Sequence, residues 1–225
     1  MTERLQKFIA RSTSYSRRKA EDMITAGKVK VNGVVITKLG TIIDSGLDQI
    51  MVRNKLIQPL RSFQYLMVNK PIGYTCTRAK GEKTVYDLVA NSRDLVIAGR
   101  LDKGTEGLVL LTNDGELVQQ LTHPRFEHEK EYQVSTIKPL LDVNLDKLKR
   151  GVRLREGLAK ADRIERVNVH TIKIVLHQGW NRQIRRMLAK MKHDIKNLKR
   201  IRIGKLELGQ LDSGRSQKVN RSEIV

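Results

Sequence analysis

The sequence predicts an α+β chain of two units. A small N-terminal module of two short helices and a tight β unit precedes a larger unit built on a largely antiparallel, mixed β-sheet flanked by helices. Three observations carry this expectation. Strand-like and helix-like segments recur without the clean alternation of a doubly wound fold. Short Val- and Ile-rich runs are punctuated by Asn-Gly, Lys-Pro and Gly turn signals. A polar stretch, "RNKLIQPLRS", interrupts the chain near residue 60, so the expected units are residues 1–60 and 61–225.

Taken in order, "TERLQKFIA" places Leu5, Phe8 and Ile9 at helical spacing, with Thr2 as the expected cap. "SYSRRKAEDMITAGK" offers Ser16 as a cap, Ala20, Met23 and Ile24 as an apolar face, and Gly27 as a stop. In "KVKVNGVVI" the Asn32-Gly33 pair supplies the positive backbone angles of a tight hairpin, and "DQIMVRNKLI" reads as a second strand pair. Beyond the boundary, "FQYLMVNKPIGYTCT" is a strand running into a turn, with Cys76 expected as a strand residue. Further strands are expected at "LVIA", "LVLLT", "EYQVSTI", "VHTIKIVL" and "IRIGKLEL", and helices at "TVYDLVA", "GELVQQL" and "DVNLDKLKRG". "HQGWNRQIRRMLAKM" predicts a turn and a helix capped by Asn181, in which Ile184, Met187, Leu188 and Met191 form a core stripe. The closing "SGRSQKVNRSEIV" reads as a polar, frayed tail.

Composition narrows the partners. Forty-four Lys and Arg against 24 Asp and Glu give a formal charge of +20, which suits a polyanion, and nucleic acid is the commonest one. No apolar run is long enough to span a membrane, and no aromatic-rich helix face suits insertion into one. The N-terminal "MTERLQKF" lacks the apolar core of a secretory leader, so the cytoplasm is the expected compartment. The lone cysteine excludes an internal disulfide framework. Basic residues concentrate from Arg182 to Lys205, where ten Lys or Arg meet a single acid, Asp194, and this segment is expected to form a patch.

The chemistry centres on "AGRLDKGTEGLVLLTNDGEL". It places Asp102 in a polar, glycine-containing loop between two apolar runs, a good position for presenting a reactive carboxylate. Taken locally, the same residues read more readily as a surface ion pair between Arg100 and Asp102. Lys130 and Tyr132 alternate along a strand and so share a face. Arg182, Arg185, Arg186 and Lys190 occupy the helix surface left by the core stripe, either as a solvated face or as phosphate contacts. The chain contains no glycine-rich phosphate loop of the Walker or dinucleotide type. His123 and His128 have no clear third ligand, so neither a metal nor a cofactor is expected.

"SRRKAEDMITAGKVKVNG" resembles the S4 RNA-binding domain, and its Arg17, Arg18, Lys19, Lys28 and Lys30 then form an RNA-facing surface. Behind it, "NKPIGYTCT", "GRLDKGTEGLVLLTNDGEL", "EKEYQV" and "GWNRQIRRM" follow in an order that resembles the RsuA/RluB/RluE/RluF family of ribosomal RNA pseudouridine synthases. The likeness covers nearly the whole chain, with Lys103-Gly104 and Val109 as variations. It implies the pseudouridine synthase fold and the isomerisation of a uridine within RNA, without cofactor. Asp102 is then the essential carboxylate, Arg185 the guanidinium beside it, Tyr132 the aromatic against the target base, and Ile184 an apolar wall. Arg100, Lys130, Arg182 and Arg186, with Arg17, Arg18 and Lys28, are the expected RNA contacts. Because a stacked base hides its glycosidic bond, the target must be flipped at a cost of roughly a few kcal/mol. Stacking on Tyr132 recovers roughly 1–3 kcal/mol of that.

The family likeness further implies a monomer acting on ribosomal RNA or a pre-ribosomal particle. "HEKEYQV" and "GWNRQIRRM" lean towards the large-subunit (23S) members, and small-subunit (16S) RNA is the alternative substrate. A non-catalytic ribosome-assembly factor built on the S4 module accounts for the charge equally well but makes Asp102 dispensable. A nuclease is disfavoured, because no carboxylate cluster for two metals is evident.

Overall fold

Leu5, Phe8 and Ile9 do form the buried side of a helix, but that helix starts later than its sequence suggests. In the computed structural model, which describes residues 2–13, 15–58 and 62–225, Thr2 caps nothing. It belongs to strand β1 (Thr2–Arg4), and α1 (Leu5–Ser12) follows with extended Arg4 at its start and no side-chain cap. The Leu5 N–H is taken by the Thr41 carbonyl at 2.8 Å, which does part of a cap's work. Then come α2 (Arg17–Thr25), β2 (Val29–Val31), β3 (Val34–Val35), β4 (Ile42–Asp44), β5 (Ile50–Val52) and β6 (Lys55–Ile57). Ser16 caps α2 by accepting from the Lys19 N–H at 3.1 Å.

β1 pairs with β4, and a second sheet runs β3-β2-β5-β6, with every pair antiparallel. The turn between β2 and β3 places both Asn32 and Gly33 at positive φ, as a two-residue hairpin of this twist requires. The core of this unit is Leu5, Phe8, Ile9, Ala20, Met23, Ile24, Val29, Ile43, Ile50 and Val52. The chain divides into two compact units, one reaching residue 63 with residues 113–115, the other holding residues 64–112 and 116–225. The boundary expected near residue 60 falls at 59–61, outside the described residues.

The larger unit contains β7 (Tyr65–Lys70), β8 (Val96–Ala98), β9 (Glu106–Thr112), α3 (Gly115–Thr122), β10 (Lys130–Thr136) and α4 (Asp142–Arg150). After them come β11 (Val152–Arg153), β12 (Leu158–Ala159), β13 (Arg163–Asn168), β14 (Thr171–Leu176), α5 (Gln183–Lys190), β15 (Ile195–Ile203), β16 (Leu206–Glu207) and β17 (Ser216–Lys218). β11 and β12 pair as a separate hairpin. The main sheet runs β13-β14-β10-β15-β9-β7-β17, with β16 on β15 and β8 on β9. Its one parallel junction is β15 with β9, so the sheet is mixed and largely antiparallel.

That junction depends on Gly107, which has φ +105 and whose missing Cβ would lie 2.2 Å from the Arg200 carbonyl oxygen. No side chain fits there. The continuous run "LVLLT" is explained by burial on both faces of β9. Leu108 and Leu110 pack with Met67, Leu117, Leu121 and Ile203 on one side, while Val109 and Leu111 pack with Val68, Val85 and Leu95 on the other. A further core joins β10 and β14 to α4 and α5 through Val134, Leu145, Leu148, Ile172, Ile174, Met187 and Leu188.

Three expectations of local structure fail here. "TVYDLVA" makes a single 3₁₀ turn (Val85–Leu88), closed by Thr84 and by the Asp87 carboxylate accepting the Thr84 N–H at 2.7 Å, before Val89 returns to extended backbone. Cys76 lies in a bend after β7, buried, outside any strand. The closing segment is not frayed: β17 pairs antiparallel with β7, and Val219 and Ile224 are buried in the core beside Met67 and Ile203.

Candidate active site

β8 and β9 form a hairpin whose long connection carries Asp102, and every second residue of that connection is anchored by its backbone. The Leu101 N–H donates to the Cys76 Sγ at 3.3 Å, the Lys103 carbonyl accepts the Gly73 N–H at 2.8 Å, and the Thr105 N–H donates to the Asp102 carbonyl at 3.1 Å. Gly73 reaches Lys103 from the Lys-Pro-x-Gly turn at φ +90. That turn is itself braced by the buried Lys70 ammonium, which donates to the carbonyls of Pro71 and Tyr74 at 2.9 and 2.8 Å. Burial pulls the Lys70 ammonium below the ordinary lysine range, while the Asp102 carboxylate is among the charges that oppose the shift.

The Asp102 side chain is 25% exposed at the edge of a cleft of about 720 Å³. Its Oδ1 accepts from the Thr105 hydroxyl at 2.8 Å. Its Oδ2 faces the Arg185 Nε at 3.5 Å and the Arg182 Nη1 at 3.7 Å. Arg185 meets the same loop twice more, Nη2 donating to the Gly104 carbonyl at 2.7 Å and to the Thr105 hydroxyl at 3.2 Å. Thr105 therefore relays between guanidinium and carboxylate. The Arg185 Nε is buried and makes no aligned hydrogen bond, so it is a charge held against Oδ2 with a donor still to spend.

The arginines reach Asp102 because of how α5 begins. Asn181 does not cap it. Arg182 occupies that place at φ +49, a left-handed conformation rare for a residue with a side chain. The turn is instead closed by Gln183, whose Oε1 accepts the Trp180 N–H at 3.2 Å and whose Nε2 donates to Gln178 at 2.8 Å. The stripe Ile184, Met187 and Leu188 is buried, with Met191 packed beside it, which turns Arg182 and Arg185 towards the cleft.

The cleft brings together Asp102, Arg100, Lys130, Tyr132, Arg182, Ile184 and Arg185. Arg100 is exposed and is not the partner of Asp102, so the simple surface pair fails. Lys130 and Tyr132 share the cleft face of β10. The Lys130 ammonium donates to the carbonyls of His128 and His177 at 2.8 and 3.3 Å, and burial, then repulsion from Arg200, pulls it below the usual lysine range. Ile184 serves both the cleft wall and the core.

Arg186 is not among the described lining residues, because Glu156 holds it by two bonds of 2.8 and 3.0 Å. Arg17, Arg18 and Lys28 are exposed in the smaller unit. The basic patch expected from Arg182 to Lys205 does not exist as one surface. Arg200 is buried, and Arg202 is bound by Glu129 and Glu131 at 2.9 Å each. Sequence reasoning missed Thr105, Lys70, Cys76 and Arg200. Thr105, Lys70 and Cys76 do lie inside the motifs that carry the family likeness, but nothing in the string marks their bonds. Among the described residues no group of three His, Cys, Asp or Glu side chains could hold a metal, and no helix is long and apolar enough to cross a membrane.

The fold matches a solved structure described as a pseudouridylate synthase, with a TM-score of 0.71 and 30% identity over 98% of this chain and 97% of that one. The mixed sheet and its carboxylate-bearing cleft thus define the class, a pseudouridine synthase. Residues 64–190 match the RNA pseudouridylate synthase family model, and residues 3–50 match the S4 domain. The ribosomal large subunit pseudouridine synthase B of Bacillus subtilis (strain 168) is 39% identical over 99% of this chain and 94% of its own length. An uncharacterized RNA pseudouridine synthase of Aquifex aeolicus (strain VF5) is 36% identical over 100% and 93%. The dual-specificity RNA pseudouridine synthase RluF of Escherichia coli (strain K12) is 33% identical over 99% of this chain and 77% of its own length. The chain belongs to the RNA pseudouridylate synthase family and carries an S4 domain, as its motifs suggested.

Proposed function

We propose that this isomerase converts a specific uridine of ribosomal RNA to pseudouridine, that its substrate is large-subunit (23S) RNA, and that Asp102 is the essential carboxylate. The observation that carries the reading is the Asp102 carboxylate at the cleft edge, flanked by Arg182 and Arg185 and bonded to Thr105. Adjacent guanidiniums favour the ionised carboxylate, the form needed by a nucleophile or base. The large-subunit assignment is supported by the relative named for that subunit.

In the reaction the N1–C1′ bond of uridine breaks, the base turns, and C5 bonds to C1′. The C5 proton leaves to solvent and N1 takes one up. Oxidation states and phosphates are untouched, so the residues themselves suffice. Tyr132 stacks on the flipped base, Ile184 walls the pocket, and Arg185 orients Asp102. Arg100, Lys130 and Arg182 contact the target nucleotide and its phosphates, and Arg186 extends that track outside the cleft. Residues 1–60 act as the RNA-gripping module through Arg17, Arg18 and Lys28, and residues 61–225 as the catalytic domain. The enzyme works as a cytoplasmic monomer on ribosomal RNA or a pre-ribosomal particle.

The test is chemical mapping of pseudouridine in ribosomal RNA from cells lacking the protein, after treatment with wild type or Asp102→Asn. A new pseudouridine made by wild type alone supports the reading and identifies the site. Tight binding with no new pseudouridine, in free RNA or in particles, favours an assembly factor. A product in 16S RNA corrects the subunit.

A further inference from the structure

We propose that Arg200 is a positioning residue that sets the Asp102 loop by gripping both of its ends; the proposal rests on the isomerase reading of Asp102. Arg200 lies on β15 and is 2% exposed, yet it lines the cleft. Its Nε donates to the Leu108 carbonyl at 2.8 Å and its Nη2 to the Gly99 carbonyl at 2.7 Å. Gly99 directly follows β8 and Leu108 lies within β9, so the two carbonyls bracket residues 100–107, the segment that carries Asp102 and Thr105. The Arg200 backbone closes on the same segment, since it is what a Cβ on Gly107 would strike.

This arrangement is an unusual use of charge. Burying a guanidinium is costly unless it is paired, and among the described residues no carboxylate pairs with Arg200. Its charged neighbours make matters worse, for both the Lys70 and Lys130 ammoniums are pushed down partly by Arg200. An apolar side chain would serve packing better. What only arginine supplies is a planar fork that spans two acceptors at fixed separation, which a lysine cannot imitate. The other anchors of the loop, Gly73 and Cys76, hold its tip, and Arg200 fixes the spacing of its base. Loss of the fork therefore shifts Asp102 relative to Arg185 while leaving the exposed cationic surface that binds RNA unchanged.

The experiment compares wild type, Arg200→Lys, Gly99→Ala, the double variant and Asp102→Asn on ribosomal RNA carrying tritium at uridine C5. It reads the single-turnover rate of tritium release, the RNA dissociation constant and the melting temperature. Gly99 has φ +85, which an alanine adopts only with strain, so Gly99→Ala displaces the same carbonyl from the other side. Each single variant is expected to lose about 10²-fold in rate, the scale of a 1 Å misplacement, with RNA affinity unchanged within about twofold. The double variant should be no slower than the slower single, because the contact that Gly99→Ala disturbs is already lost with the Arg200 fork.

A full rate in Arg200→Lys, multiplicative losses in the double variant, or a loss confined to RNA affinity and melting temperature each overturn the proposal. Should Arg200→Lys fail to fold, Gly99→Ala decides alone: a slow rate at unchanged affinity supports the grip and a normal rate overturns it. A wild type that releases no tritium, or an Asp102→Asn enzyme that releases it normally, overturns the isomerase reading itself and so separates that failure from this one.

Discussion

Replacing Arg185 by lysine keeps a positive charge on α5 but removes the fork that meets the Asp102 loop at three points. In the native protein its Nε faces the carboxylate at 3.5 Å, and its Nη2 holds the Gly104 carbonyl and the Thr105 hydroxyl at 2.7 and 3.2 Å. A unit-charge pair near 4 Å is worth about 4 kcal/mol at an effective dielectric of about 20. Because the two side chains are 20% and 25% exposed, solvent screens part of that. A lysine keeps some of the remainder but gives up the charge-assisted bond to Gly104, worth roughly 1.5–3 kcal/mol. The net loss of transition-state stabilisation is about 2–3 kcal/mol, or roughly 10²-fold in rate. Single-turnover tritium release from C5-labelled RNA measures it directly, with RNA affinity followed in parallel. Arg185→Met, which also loses the charge, should fall further. A lysine variant within about threefold of wild type would refute the claim that the guanidinium geometry, rather than its charge alone, sets Asp102.

Asp102→Asn should abolish tritium release while RNA affinity is kept or slightly improved, since a negative charge is removed from an anion-binding cleft; a weakened affinity at normal turnover would contradict this. Gly107→Ala should lower stability to urea by about 3 kcal/mol or more, because its Cβ would meet the Arg200 carbonyl at φ +105; an unchanged midpoint would show that the β9–β15 junction gives way easily. His128 is held below its ordinary range by burial, then by repulsion from Lys130. The unfolded chain therefore takes the proton first, and stability should fall as pH drops below about 6.5. His128→Gln should flatten part of that fall in melting temperature between pH 7.5 and 5.5, and a steeper fall would reverse the sign. With a net charge of +20, RNA affinity should drop steeply between about 50 and 200 mM salt; a flat titration would argue against backbone contact.

What could be read in the sequence followed the reach of local rules. Helix faces such as Ala20, Met23 and Ile24, the Asn32-Gly33 turn and the doubly buried "LVLLT" are set within a few residues, and each stands in the structure. Misplaced features depended on distant partners. Thr2 is taken by β4, the closing segment by β7, and Asn181 is displaced by Gln183 reaching back to Trp180. The cleft shows the same division. Asp102, Tyr132 and Arg185 sit in recognisable strings. Arg200 was counted as surface charge because nothing local marks a cation that will be buried against carbonyls 92 and 101 residues away. The hold of Glu156 on Arg186 was equally invisible, since that carboxylate lies 30 residues upstream.

The pairing of β17 with β7 has a consequence for biosynthesis. Residues 216–218 lie against residues 66–68, and Ile224 seals the core beneath them. The first strand made in the larger unit thus keeps one edge open until residues 216–218 have cleared the ribosome's exit tunnel. Closing a contact across about 150 residues is slow by its chain entropy. The open edge of β7 is therefore the surface a chaperone would have to shield during synthesis, and a stop codon before residue 216 would leave it uncovered for good.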